Sequence, residues 1–506
     1  MEMRKRFVIT VFSALAAFLS AACGNNGTTP STSSSGTEDP GTDPPPVTAT
    51  AKGWVTTSDR FSSFSVRDLK VTHGAAAGYD EITVNVDETF QTVDGFGLAI
   101  TQAACYNLLK MSQEDRTRLL TELFSRTEGA GSSLIRVCIG GSDFSMDEYT
   151  WCDEEGIDHF AVHPSEEEYL FPVLNEIYAI NPDVQIIGSP WSCPRWMKMD
   201  VSGSGIHASW TSGRLDPRYY DDYAEYFVRW IREMEGRGYK IRYVTLQNEP
   251  LNHGNSMSLY MPWEDQRDFL KVIGPKFQAG GITTEILLFD HNYNYDDNAS
   301  QKDYPLKIFA DDEASRYASG SAWHNYGGNV AVLGGIHTAY PDKKILFTEA
   351  SIGKWNYDWN GFWGQLSEDF REIVIGTLSR WGSGVTLWNM MLDSNGKPYR
   401  PGGCSTCYGA VSIDPGSYSY SSIDRKSHWF DIVHASAVIR PGAVRVGTGG
   451  FAAANLSYLA FKNTDGTIGI IILNEGDTPQ KLSFRCDDNA NVDVPARSVV
   501  SVLYTD

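Results

Sequence analysis

Eight times between residues 93 and 388 a short apolar run recurs, with helical patterning between several of the runs, and this alternation restricts the fold more than any other feature of the chain. The strand candidates are residues 93–97, 134–139, 184–188, 243–246, 285–289, 321–324, 345–347 and 385–388. Ser112 followed by Asp115 resembles a capping box ahead of Leu119, Leu120, Leu123 and Phe124. Asp216 and Pro217 form a cap and first-turn pair before Tyr223, Phe227, Trp230 and Ile231, and Gly236 marks the stop. Eight β/α units over roughly 300 residues predict an α/β fold, a (β/α)8 TIM barrel. A doubly wound sheet is the competitor, but it has no need of eight strands.

The two ends of the chain read as β. Residues 81–86 alternate, with Ile82, Val84 and Val86 on one face, as in a half-buried strand. Residues 456–461 and 467–473 flank Asp465-Gly466, a hairpin turn signal, and 481–485 and 498–504 add two strands. The expectation is a side β-sandwich built from both chain ends, residues 51–88 and 425–506, beside a catalytic barrel at 89–424. Further upstream, Arg4, Lys5 and Arg6 precede an apolar run at 7–19, and Ser20, Ala21 and Ala22 lead to Cys23. That pattern describes a secretory signal, and the run is too short for a stable spanning helix. Small residues before Cys23 resemble a bacterial lipoprotein processing site, although Ser20 stands where a larger aliphatic residue is preferred. An ordinary signal peptide is the alternative. Residues 24–50 hold almost nothing apolar and are expected to be a disordered tether. Signal, Cys23 and tether together predict an exported protein, lipid-anchored to the bacterial cell envelope and touching the membrane only through that N-terminal anchor.

With 63 acidic against 42 basic residues the net charge is −21, which repels a phosphate backbone, so nucleic acid is excluded as a partner. Seven cysteines follow Cys23, an odd number scattered widely, which is no disulfide framework. Cys404 and Cys407 form a single C-x-x-C in a Gly-rich stretch. Without a second pair it implies a local disulfide or two free thiols rather than zinc. No Walker loop, H-E-x-x-H or dinucleotide fingerprint occurs, so neither a metal nor a cofactor is expected. The chain is read as a monomer.

In a barrel of this kind the residues just past each strand line the catalytic mouth. Strand four leads through Gln247 and Asn248 into Glu249, and strand seven through Thr348 into Glu349. Arg136, Gly140, Gly141 and Asp143 follow from strand two, Trp191 from strand three, His324 and Tyr326 from strand six, and Trp388 from strand eight. A carboxylate directly after an apolar strand must face the mouth or be buried at a cost. Either glutamate alone could be structural, capping a helix or forming an ion pair. Paired across a mouth walled by aromatic rings, they are what glycoside hydrolysis requires: one acid for the departing oxygen and one carboxylate for the cationic carbon. Bland alternatives stand beside several residues. Arg136 could simply neutralise the carboxylates, and His324 could either contact the substrate or be a satisfied core histidine. Trp196 and Trp355 fit the core or distal subsites, while His291 and Asn292 stand where a distal subsite would be.

The ordered motifs resemble glycoside hydrolase family 30. They are Val93-Asp94-Gly95-Phe96-Gly97, Leu134-Ile135-Arg136-Val137, Asp143-Phe144-Ser145, Ser189-Pro190-Trp191-Ser192, Gln247-Asn248-Glu249-Pro250, Phe347-Thr348-Glu349-Ala350, Leu387-Trp388-Asn389 and Ile439-Arg440-Pro441-Gly442. The resemblance implies a retaining double displacement with Glu249 as acid/base and Glu349 as nucleophile, their carboxyl groups about 5–5.5 Å apart. It also implies that Asp143, Trp191 and Trp388 hold the sugar ring and Asn248 its 2-hydroxyl, with Tyr326 and Arg136 stabilising Glu349. The acid is expected to carry a raised pKa. The implied substrate is a β-glucan polysaccharide or oligosaccharide, β-1,6-glucan first. An exo-acting β-glucosidase or glucosylceramidase, a β-xylosidase, and a non-catalytic glycan-binding lipoprotein are the alternatives. The stretch 389–408 departs from glucosylceramidase and could reshape the mouth.

Overall fold

The computed structural model describes residues 46–506; the expected signal segment, Cys23 and most of the tether lie outside the described residues. Three strands come first: β1 (Thr50–Thr57), β2 (Ser65–Thr72) and β3 (Asp80–Thr92). Eight parallel strands follow, β4 (Gly95–Leu98), β5 (Leu134–Cys138), β6 (Gln185–Ser189), β7 (Lys240–Thr245), β8 (Glu285–Asn292), β9 (Ala318–His324), β10 (Lys344–Glu349) and β11 (Gly384–Leu387). Each expected barrel strand is present. They pair in chain order from β5 to β11, and β11 pairs with β4. The seam between β4 and β5 is closed by one bridge, Ala99 to Arg136, with the Ile100 N–H donating to the Arg136 carbonyl at 2.8 Å.

The pleat stacks the interior in layers. Leu134, Ile187, Tyr243, Leu287, Ala322 and Leu346 form one buried apolar cluster, a side chain from each of six successive strands. Because successive side chains alternate faces, the residues two positions further along also point inward. On five of those strands they are Arg136, Ser189, Thr245, His324 and Thr348. A dry layer is thus capped by a polar one. On β8 a regular pleat would bring Phe289 inward. Instead Phe289 and Asp290 take φ of 73° and 65°, and the register with β9 slips between Phe289 and His291. Phe289 turns out to pack on Tyr304 and Trp323, and Asp290 takes the inward place.

Helices cover the barrel. Ser112 caps α1 (Gln113–Phe124) by accepting from the Asp115 N–H, as its sequence signature predicts. Asp216 caps a short 3-10 turn that runs into α2 (Tyr220–Gly236), whose Tyr223, Phe227, Trp230 and Ile231 are buried. Further along lies α3 (Tyr357–Asp369).

The side β-sandwich draws on both chain ends. It adds β12 (Val444–Gly450), β13 (Leu456–Lys462), β14 (Ile468–Asn474), β15 (Gln480–Arg485), β16 (Asn489–Val494) and β17 (Ser498–Thr505). With β1, β2 and β3 these strands hydrogen-bond into one ring, β1-β2-β16-β15-β3-β12-β13-β14-β17, around a core of its own. One helix, α4 (Ser427–Val438), joins the two parts, packing on β4 of the barrel and on β14 and β17 of the sandwich. Its His434 exchanges hydrogen bonds with Ser501 at 2.9 Å and Thr56 at 2.8 Å. At the helix end the backbone approaches so closely that a Cβ on Gly469 would lie 2.0 Å from the Val438 carbonyl oxygen. Replacing Gly469 by Ala is therefore expected to lower stability by about 1–3 kcal/mol in urea unfolding, as overpacking does. Gly449→Ala in the same ring, where nothing lies within 4 Å, should stay within about 0.5 kcal/mol.

Candidate active site

Asp290 is the hub of the polar layer. Its carboxylate accepts from Arg136 Nη2 at 2.7 Å, Thr245 Oγ1 at 2.7 Å, Ser189 Oγ at 3.2 Å, Thr348 Oγ1 at 2.6 Å and His324 Nε2 at 3.1 Å. Burial alone would raise this carboxyl; Arg136 and the hydrogen-bonded His324 reverse that and hold it far below the ordinary range. It is an anion at any working pH. No sequence expectation named Asp290, and the bulge that turns it inward is the reason.

Arg136 carries that anchoring upward. Besides Asp290 and Ser189, its guanidinium donates to Glu349 Oε2 at 2.5 Å and to Asn248 Oδ1 at 2.7 Å. It also lies 5.0 Å from the Trp191 ring centre and 5.9 Å from that of Trp388. Burial disfavours the charge, but Asp290 and Glu349 more than restore it, so its pKa is raised. Tyr326 Oη donates to the other oxygen of Glu349 at 3.0 Å.

Glu249 sits past the end of β7 at φ 45°, an uncommon conformation held by its N–H bond to the Asp290 carbonyl at 3.0 Å. Asn252 donates to its Oε2 at 2.7 Å, while Oε1 faces Nδ1 of His324 at 3.3 Å and Nδ1 of His291 at 3.8 Å. Burial opposes charge on His324, but Glu349, Asp290 and Glu249 outweigh it and push the ring up to about 9. Both ring nitrogens face carboxylate oxygens, which is satisfied when both carry protons. Burial raises Glu249 too, yet the His324 hydrogen bond and the His291 charge leave it lowered. From the sequence a raised value is expected; the difference arises because the proton rests on His324, one hydrogen bond away.

Burial is the largest influence on Glu349 and, with the charges of Glu249 and Asp290, leaves its pKa raised in spite of His324 and Arg136. Hydrogen-bond inventory decides where a shared proton goes. Both carboxylates accept on both oxygens, but the donors differ. Glu349 accepts from Arg136 and Tyr326, which keep their protons. Glu249 accepts from Asn252 and from His324, an imidazolium that can hand its proton over. Glu249 Oε1 faces the otherwise unpartnered Nδ1 of His291, whose Nε2 is engaged by Asp296 at 2.8 Å. The mobile proton therefore belongs to the Glu249–His324 side, and Glu349 is the standing anion.

Glu249, Glu349, Asp143, Trp191, Asn248, Tyr326 and Trp388 line one cleft together. Trp191 and Trp388 form a tilted pair with centres 5.0 Å apart. Arg136 and His324 do not reach the cleft; both are fully buried beneath it. Trp355 and His291 line the cleft, whereas Trp196 is spent on the Cys152 carbonyl at 2.9 Å. Cys404 and Cys407 form a disulfide in the cleft wall. Its loop grips Asp143: the Arg400 N–H donates to the Asp143 carbonyl at 2.8 Å, and Cys404 gives a backbone hydrogen bond to the carboxyl. Burial, then the charges of Glu349 and Glu249, push Asp143 up to about 8 against that bond, so it is a proton donor at neutral pH. Phe144 and Asn292, both singled out in the sequence, also line it; Asn252, Asn255, Asp296 and Ser351 complete the lining, and no strand-end rule marks these four. Glu249, His291 and His324 bring one ligand atom each within 4.8 Å, a spacing that would admit a cation but would take Glu249 out of acid–base work.

The glycosyl hydrolase family 30 TIM-barrel domain matches residues 93–404, and the family's beta sandwich domain matches 442–502. An endo-1,6-beta-D-glucanase of Trichoderma harzianum is 31% identical over 447 residues, covering 83% of this chain and 86% of its own. Putative glucosylceramidase 4 of Caenorhabditis elegans is 28% identical over 460 residues, covering 88% of this chain and 85% of its own. The solved structure of the endo-beta1,6-glucanase BT3312 superposes with a TM-score of 0.86 at 46% identity, covering 90% of this chain and all of that one.

The His324 ring has a directly testable signature. Its folded pKa near 9 lies above the ordinary value of about 6.5, so its stabilisation is complete below pH 6.5 and lost as pH rises through 9. Urea unfolding across that window should show wild type losing on the order of 3 kcal/mol more than His324→Gln. Parallel pH dependences would remove the charge from that ring.

Proposed function

The chain belongs to glycosyl hydrolase family 30 and is a glycoside hydrolase; we propose that it is a retaining endo-β-1,6-glucanase. The observation that carries the mechanism is the difference in donors between two carboxylates of one cleft: Arg136 and Tyr326 on Glu349, a protonated His324 on Glu249. Glu349 is held as an anion by Arg136 and Tyr326 and attacks the anomeric carbon. Glu249, in proton exchange with His324, gives a proton to the departing glycosidic oxygen. In the second step it takes a proton from the water that displaces the sugar from Glu349, and the starting charges return. Asn248 has its Oδ1 committed to Arg136, which leaves its amide N–H for the sugar 2-hydroxyl. Trp191 and Trp388 offer apolar faces to the ring, and Asp143 a proton-bearing oxygen to a sugar hydroxyl.

β-1,6-Glucan is favoured because several relatives along most of the chain, and the solved structure at 46% identity, carry that activity in their names. Export and a lipid on Cys23 complete the proposal. A protein recovered from membranes with an acylated Cys23 in mass spectra supports the anchor, and a free soluble N-terminus rejects it.

Purified chain should convert linear β-1,6-glucan into mixed oligosaccharides whose first-formed ends are β by proton NMR. Glu349→Gln should abolish this, and Glu249→Gln should slow it by about 10²–10⁴-fold. First-formed α ends would overturn retention. Glucose as sole product would replace endo by exo action, and cleavage confined to aryl β-glucosides would replace the polymer with a small glucoside.

A further inference from the structure

A second cluster of buried ionisable groups lies outside the cleft, where α3 packs on α4. Asp369 ends α3, and His428 and Asp431 stand three residues apart on α4, a spacing that puts them on one helix face. His428 and Asp431 are wholly inaccessible to solvent, and Asp369 is 5% exposed. One ligand atom from each lies within 4.8 Å of the others. His428 Nε2 comes within 3.3 Å of Asp369 Oδ2 without the geometry of a hydrogen bond. Both nitrogens of His428, both oxygens of Asp431 and Oδ2 of Asp369 lack any hydrogen-bond partner. Only Asp369 Oδ1 is engaged, accepting from Gln365 Nε2 at 2.8 Å.

Five orphaned polar atoms in one buried place are costly, since unpaired buried groups lose their hydration without replacement. Water would supply hydrogen bonds only, and burial together with Asp369 would then keep Asp431 protonated. A divalent cation supplies a partner to all three side chains and cancels both carboxylate charges. The 3.3 Å contact also equals the edge of a tetrahedron with bonds of about 2.0–2.1 Å, the reach of zinc to imidazole and carboxylate. The imidazole turns the choice away from calcium and magnesium, which take oxygen ligands.

We propose that Asp369, His428 and Asp431, with one water as fourth ligand, form a structural site for one zinc-type divalent cation, pinning α3 of the barrel to α4, the helix that carries the sandwich. The site takes no part in the chemistry of the cleft. Its test does not depend on any assigned substrate.

The full chain, purified without metal-affinity resin, is stripped with dipicolinate, incubated with zinc chloride, desalted and assayed by plasma mass spectrometry. One zinc ion per chain should be retained, with a rise of several degrees in Tm over the stripped protein. Asp431→Asn and His428→Gln should abolish retention and the rise, whereas Glu249→Gln should keep both. Cobalt(II) in the wild-type chain should give the intense visible bands of a four-coordinate site, a readout that needs no variant to fold. Stripped protein that neither retains zinc nor changes Tm would overturn the proposal in favour of buried water. Zinc retained by Asp431→Asn but lost in Glu249→Gln would overturn it in favour of the catalytic cleft.

Discussion

The buried pair of Arg136 and Asp290 is the interaction on which the catalytic end of this barrel depends. A guanidinium and a carboxylate, both without exposure, meet at 2.7 Å on top of an apolar layer. Taking such charges out of water costs several kcal/mol each, and attraction offsets that only when the remaining lone pairs and protons are satisfied. Here they are. Three hydroxyl groups and His324 complete Asp290, while Ser189, Asn248 and Glu349 complete Arg136. Removing either ion would strand the other, so the pair is held by mutual need more than by net stabilisation.

Division of labour between the two glutamates follows from this layer. Arg136 reaches up to Glu349 and keeps it charged; Asp290 reaches across to His324 and keeps that ring protonated next to Glu249. One carboxylate is thereby fixed as an anion, and the other is given a proton donor within hydrogen-bond reach. Even the strained backbone of Glu249 is tied to the same residue, through its bond to the Asp290 carbonyl. Opposite, burial and the charges of the two glutamates make Asp143 a neutral acid, against the backbone hydrogen bond that it accepts from Cys404 in the disulfide-closed loop.

Much of this was legible in the sequence. The eight barrel strands announce themselves because each is an apolar run ending in polar residues, and Glu249 and Glu349 stand at two of those ends. Asp290 obeys the same end-of-strand rule after Leu287, Leu288 and Phe289, but a regular pleat points it outward, and only the left-handed bulge reverses that. Strands β1, β2, β12 and β16 gave weaker signals: β2 has no buried residue, and β12 carries three glycines in place of alternating side chains. The roles of His324 and Arg136 turn on three-dimensional placement beneath the cleft, and the pKa order of the glutamates turns on which neighbour holds the proton. Neither is written in spacing.

The central claim is that Arg136 and Tyr326 make Glu349 the nucleophile. Incubating the chain with an activated 2-deoxy-2-fluoro-β-glucoside, a substrate that forms the glycosyl-enzyme but releases it slowly, and mapping the product by peptide mass spectrometry tests this most directly. The account predicts one fluoroglucosyl group on the peptide that carries Glu349, absent in Glu349→Gln and slowed when Arg136 is replaced. A label on Glu249 would contradict it.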